Sequence, residues 1–215
     1  MKIEQLQCYL VAGPQDYPEL SLTEFIVQIE VLMQSGITAY QFRDKGTHYQ
    51  NCEERLDLVL KLQFLAKKWQ VLFIINDDVD LAQQIHADGL HVGQGDQIQA
   101  ALKVPQALPM VIGLSVSNAS ELAAAQDSGA DYLGIGPIFA TQSKTDAAPA
   151  LGLAKLAEIL PQNHLPIVGI GGITESVLSD LAELGLNGVA VISMLTRSDN
   201  PIETVQKIKE AWHGI

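Results

Sequence analysis

A single-domain (βα)8 TIM barrel spanning residues 1–215 is the fold this sequence predicts, on three observations. Short apolar, β-branched runs recur eight times, and segments of helical length and periodicity lie between them. The total of 215 residues suits one barrel and is short for two full domains.

The strand runs, in order, are QCYLVAG, ITAYQF, VLFII, GLHVG, MVIGLS, DYLGIG, PIVGIGG and NGVAVIS. Parallel strands each followed by a helix can form an open doubly wound sheet or a closed barrel, and the count of eight favours the barrel. Helical periodicity marks SLTEFIVQIEVLMQS, EERLDLVLKLQFLAKKW, ASELAAAQDS, TESVLSDLAEL and a final PIETVQKIKEAWHG. Gly36, Gly129 and Gly185 stand where a left-handed residue turns a helix back into the next strand. No low-complexity stretch or linker-length gap divides the chain, so the eight units belong to one domain.

A formal net charge of −12 and a pI near 4.7 exclude a general nucleic-acid or anionic-membrane surface, because both need a positive field. Any anion must therefore meet cations gathered locally. Cys8 and Cys52 lack metal-ligand spacing, and the histidines form no H-x-x-x-H pair, so no zinc site is expected. The N-terminal MKIEQLQCYLVAG is unlike a signal peptide, and no run approaches the roughly 20 apolar residues of a membrane span. A soluble, cytoplasmic protein is the expectation; nothing in the sequence fixes an oligomeric state.

In a TIM barrel the ligand site lies at the C-terminal ends of the strands. Those positions hold Gln41, Arg43 and Lys45 after the second strand, Asn76 and Asp77 after the third, Gln94 and Asp96 after the fourth, and Ser115 after the fifth. Thr141, Ser143 and Lys144 follow the sixth, Gly171 and Gly172 the seventh, and Ser193 the eighth. Strand alternation places Ile37, Ala39, Gln41, Arg43 and Lys45 on one face and Thr38, Tyr40, Phe42 and Asp44 on the other. With the aromatic rings against the helical layer, the cations face the barrel mouth, where burial is costly unless anions meet them. The plainer alternative is a strand-end salt-bridge cluster with Asp44 or Asp77.

In FIINDDVDLA, either Asp77 or Asp78 suits the N-cap of the next helix, and Asp80 favours its positive end. Asp77 with Asp96 instead offers two carboxylates on adjacent strand ends, a donor set suited to Mg²⁺. The glycines of VGIGGIT and the end of AVIS occupy the strand ends where backbone N–H groups often hold a phosphate; tight turns alone would also use the glycines. His91 reads as a packing histidine, and Met194, Trp69 and Trp212 as helix or core packing.

The set QFRDK, INDDVDLA, DGLHVGQGD, GLSV, GADYLGIGPIFATQSKTDA, PIVGIGGI and GVAVIS, running from about residue 8 to residue 195, resembles the thiamine phosphate synthase family. The resemblance implies a TIM-barrel transferase that joins hydroxymethylpyrimidine diphosphate to hydroxyethylthiazole phosphate with Mg²⁺, releasing pyrophosphate. It implies a pyrimidine-diphosphate site at Gln41, Arg43, Lys45, Asn76, Ser115 and Lys144, with Arg43, Lys45, Ser115 and Lys144 at the chemistry. It further implies Mg²⁺ ligands at Asp77 and Asp96, a thiazole-phosphate loop at Thr141, Gln142 and Ser143, and a phosphate cradle at Gly172, Ile192 and Ser193. Two departures stand out: Ser143 where threonine is frequent, and Asp78 where the family often carries arginine. Residues 46–70 carry no family signal. Competing readings are a thiazole tautomerase-like relative, a catalytically silent phosphate-binding barrel and a sugar-phosphate isomerase; the last needs an acid and base that no strand end offers.

Overall fold

The computed structural model describes residues 1–45, 48–94, 110–141 and 148–213. Within them the apolar runs become β1 (Cys8–Ala12), β2 (Ala39–Phe42), β3 (Leu72–Asn76), β4 (Gly89–Val92), β5 (Val111–Val116), β6 (Tyr132–Ile135), β7 (Ile167–Ile170) and β8 (Gly188–Val191). Each strand pairs in parallel with its successor and β8 returns to β1, which closes the barrel in sequence order. Parallel neighbours require a crossover, and between every pair of consecutive strands except β4 and β5, whose connection lies largely outside the described residues, a helix supplies it. The described helices are α1 (Leu22–Ser35), α2 (Cys52–Trp69), α3 (Val79–Gln84), α4 (Ala119–Ala125), α5 (Gly152–Ile159), α6 (Leu178–Glu183), α7 (Ser193–Thr196) and α8 (Pro201–Ala211).

Local chemistry sets their ends. Ser21 accepts from the Glu24 backbone while the Glu24 carboxylate accepts from Ser21, a capping box that starts α1. Asn51, Asn118 and Asn200 cap α2, α4 and α8 by accepting from the backbone N–H three residues on. Each such cap is worth about 1 kcal/mol. Gly36, Gly129 and Gly185 all adopt positive φ, as the helix-exit reading expects. The segment TESVLSDLAEL divides, with a 3-10 turn at Glu175–Val177 before α6.

Two apolar layers result. Inside the barrel lie Leu6, Tyr9, Val11, Ala39, Leu72, Ile74, Tyr132, Val168 and Ala190. Outside it, Tyr40, Phe42, Phe73 and Leu133 pack against helical residues such as Phe25, Ile29, Leu62, Leu181 and Ile208. The β2 alternation therefore holds from Ala39 onward, with Tyr40 and Phe42 turned outward. Ile37 is a correction: it precedes the strand and joins the outer layer, not the Gln41 face. Among the described residues no helix is long and apolar enough to cross a membrane.

Candidate active site

At the C-terminal ends of the strands the barrel opens into a cavity of about 300 Å³. Its wall includes Gln41 and Arg43 from the end of β2, Asn76 from β3, His91 and Gln94 from β4 and its exit, and Ser115 from β5. Thr141, Gly172, Ile192 and Ser193 line the opposite side. Nine of the strand-end positions, Gly171 included, thus converge on one space, because parallel closure carries every strand end to the same face.

Arg43 is the main electrostatic feature of this wall. It is only 6% exposed, and among the described residues no carboxylate lies within ion-pairing distance of its guanidinium. Its backbone is pinned, with the N–H donating to the Ala12 carbonyl and the carbonyl accepting from Gln15 Nε2 at 2.7 Å. The salt-bridge alternative does not apply to it: Asp44 pairs with Arg55 of α2. Lys45 differs from the expectation, being exposed and outside the cavity wall, since the chain has left the strand two residues earlier and alternation no longer steers the side chain.

The Asp77–Asp78 ambiguity resolves by position. Asp78 caps α3, accepting from Leu81 N–H at 3.0 Å, and its other oxygen accepts from Arg55 at 2.8 Å. Arg55 therefore bridges the β2 exit at Asp44 to the start of α3 at Asp78. This accounts for the acid at 78, and it uses a residue from the segment that carried no recognisable signal. Asp77 is left exposed beside the mouth with φ of 60°, its N–H donating to the His91 carbonyl and its Oδ2 accepting from Asn76 Nδ2 at 2.7 Å. A carboxylate held in a left-handed backbone is a local cost that functional sites commonly carry. Asp96, Gln142, Ser143 and Lys144 lie outside the described residues.

On the other wall, Gly171 and Gly172 have φ of 94° and 64°, and a side chain at Gly172 would collide with the Phe139–Ala140 backbone. Both the turn and the close approach therefore require glycine, and the same bare backbone faces the cavity with Ile192 and Ser193. Met194, read as packing, both packs against the outer layer and reaches the cavity wall. Trp212 is a core residue whose indole donates to the Leu186 carbonyl, whereas Trp69 lies at the surface beside Lys68 and Glu30.

Sequence reasoning missed the cavity floor. Gln41 Nε2 donates to Tyr9 Oη at 2.7 Å, Tyr9 and Tyr132 hydroxyls meet at 2.8 Å, and Tyr132 Oη lies 3.0 Å from His91 Nδ1. His91 Nε2 lies 2.9 Å from Ser115 Oγ. Burial pushes both phenols well above the ordinary tyrosine range, so they stay protonated. The available signal was alternation itself: Tyr9, Gln41, His91 and Tyr132 are polar groups at inward positions of strands that are otherwise apolar.

A family model described as thiamine monophosphate synthase matches residues 8–195. The chain is 54% identical over 209 residues to thiamine-phosphate synthase of Lactococcus lactis subsp. lactis, spanning 97% of each. It is 45% identical over 208 residues to that of Listeria monocytogenes serotype 4a, spanning 95% of this chain and 96% of the relative. Thiamine phosphate pyrophosphorylase from Pyrococcus furiosus superposes with a TM-score of 0.82 at 26% identity, covering 98% of this chain and 96% of that one. The barrel of 3-hexulose-6-phosphate synthase from Salmonella typhimurium, at 18% identity and a TM-score of 0.70, shares the fold alone. The chain belongs to the thiamine monophosphate synthase family and is accordingly an enzyme, a transferase of thiamine biosynthesis.

Proposed function

We propose that the cavity joins hydroxymethylpyrimidine diphosphate to hydroxyethylthiazole phosphate, releasing pyrophosphate and forming thiamine phosphate. The observation that carries this reading is Arg43, a buried cation without a carboxylate partner among the described residues, on the wall of a cavity within an acidic protein. An anionic ligand supplies the missing partner.

Two anionic groups have separate supports. Arg43, Gln41, Asn76 and Ser115 lie on one wall, where the pyrimidine diphosphate would sit, with Lys45 and Lys144 assigned by resemblance. Gly172, Ile192 and Ser193, with Thr141 and by resemblance Gln142 and Ser143, would hold the thiazole phosphate opposite. The C–O bond to pyrophosphate breaks with its electron pair leaving on oxygen; the thiazole nitrogen lone pair then forms the new C–N bond. No proton moves in either step, so neither calls for a dedicated base. Arg43 meets charge as it grows on the departing group, and the opposed walls hold the two reactants in line.

Asp77 fits a hard cation, being an exposed carboxylate at the mouth whose backbone is held out of ordinary geometry. It would hold Mg²⁺ together with Asp96, and the ion when bound supplies further positive charge at the leaving pyrophosphate.

Pyrophosphate release with both substrates and Mg²⁺, each omitted in turn, tests the reaction. Release with thiamine phosphate, lost when either the pyrimidine substrate or Mg²⁺ is absent, is expected; silence in every combination with thiazole phosphate still bound would support the silent phosphate-binding barrel instead. Lys144→Ala is expected to lose turnover with little change in unfolding temperature, and the pair Asp77→Asn with Asp96→Asn to lose the Mg²⁺ response. A normal Mg²⁺ titration by that double variant removes the metal assignment.

A further inference from the structure

We propose that Tyr9, Tyr132 and His91 form a one-directional hydrogen-bond relay across the barrel floor that orients Ser115 towards the pyrimidine substrate, making His91 and Tyr132 positioning residues. The inference rests on the preceding reading for the identity of the substrate, but the relay itself stands on the geometry.

The direction follows from counting protons. Gln41 Nε2 can only donate, so Tyr9 Oη accepts from it. Tyr9 then has its own hydrogen left, and the buried acceptor within reach is Tyr132 Oη at 2.8 Å. Tyr132 in turn donates to His91 Nδ1 at 3.0 Å. An imidazole that accepts at Nδ1 carries its hydrogen at Nε2, which therefore donates to Ser115 Oγ at 2.9 Å. Ser115, having accepted, keeps its hydroxyl hydrogen for an acceptor in the cavity that it lines. The reverse direction would give Tyr9 Oη two donors and strand its hydrogen inside the barrel, a loss buried hydroxyls rarely sustain.

The strands are built around these rings. Gly113 on β5 stands opposite His91 in the register with β4 and opposite Tyr132 in the register with β6. A side chain at Gly113 would overlap both the Tyr132 ring and His91 Nδ1, and one at Gly134 would come within 3.1 Å of His91 Cε1. Glycine weakens a strand interior, so two of them beside one imidazole mark a place where room for the ring outweighs strand stability. The relay also reaches the mouth through the backbone, since the His91 carbonyl accepts from Asp77 N–H at 2.9 Å.

The test joins a spectroscopic and a kinetic readout on the full chain. Long-range ¹H–¹⁵N spectra of the imidazoles, with His91 assigned by its loss in His91→Gln, are expected to show hydrogen on Nε2 and a bare Nδ1. Hydrogen on Nδ1 overturns the relay whatever the kinetics. Tyr132→Phe keeps the ring but removes the donor to Nδ1, so the Nε2–H signature should fade. The KM for hydroxymethylpyrimidine diphosphate should rise about tenfold, the value of one hydrogen bond, with the KM for thiazole phosphate unchanged. Tyr9→Phe should keep the His91 tautomer, because Tyr132 still donates to it. Equal rises in both KM values in Tyr132→Phe, or no rise, would mean a purely structural role. A wild-type protein that forms no product from these substrates defeats the functional reading alone, and the tautomer still decides the relay.

Discussion

At the residue scale, two positions set local stability against the chemistry. Arg43 is buried with no anion beside it among the described residues, so the folded chain bears a desolvation cost that a ligand would offset. Arg43→Met is expected to keep or raise the unfolding temperature while lowering kcat/KM roughly a hundredfold or more. A lower unfolding temperature with turnover intact would make Arg43 structural. Asp77 makes the complementary case through its φ of 60°. Asp77→Ala should destabilise by about 1 kcal/mol, because alanine suffers more than aspartate or glycine in that region, while Asp77→Gly should not. Both should lose the Mg²⁺ response. If Asp77→Gly unfolds earlier than the parent and still responds to Mg²⁺, the carboxylate serves the fold.

At the element scale, the bridge from α2 ties together the two strand exits that carry Arg43 and Asp77. Arg55 reaches Asp44, one residue beyond Arg43, and Asp78, one residue beyond Asp77, so a single guanidinium spaces both loops. Arg55→Ala should cost about 1–3 kcal/mol, since the Asp44 side chain is 6% exposed and loses its cation. In a thermal-unfolding cycle with Asp78→Ala, the double variant should lose less than the two single losses combined. Strict additivity would show that the 2.8 Å contact to Asp78 carries no coupling. This bridge was not legible in the sequence, because it joins positions 11 and 23 residues apart whose pairing depends on how α2 docks. The β2 face was legible, because an alternation of period two needs no information from elsewhere in the chain.

At the scale of the whole molecule the same distinction explains what the sequence could carry. The barrel and the gathering of polar strand ends follow from counting units, since parallel closure sends all C-terminal ends to one face. The His91 floor does not, because its side chains come from five separate strands, β1, β2, β4, β5 and β6, and the chain of hydrogen bonds exists only once all five are in register. That register also buries Cys8 and several phenols, with a consequence for alkaline stability. Burial pushes the Cys8 thiol up to about 12 from 9.0, against the pull of Lys209, and holds Tyr9, Tyr40 and Tyr132 well above 10.0. In the unfolded chain these groups release their protons near the ordinary values, whereas the folded barrel retains them. Above about pH 9 the unfolded state therefore binds fewer protons, and stability, fully present below that point, falls as pH rises towards 12, by about 1.4 kcal/mol per pH unit for each group in its window. Thermal unfolding followed from neutral pH into this range should show the decline, and Cys8→Val, which removes the earliest of the titrating groups, should delay its onset. Superimposable curves for the two proteins would show that the thiol does not couple to folding.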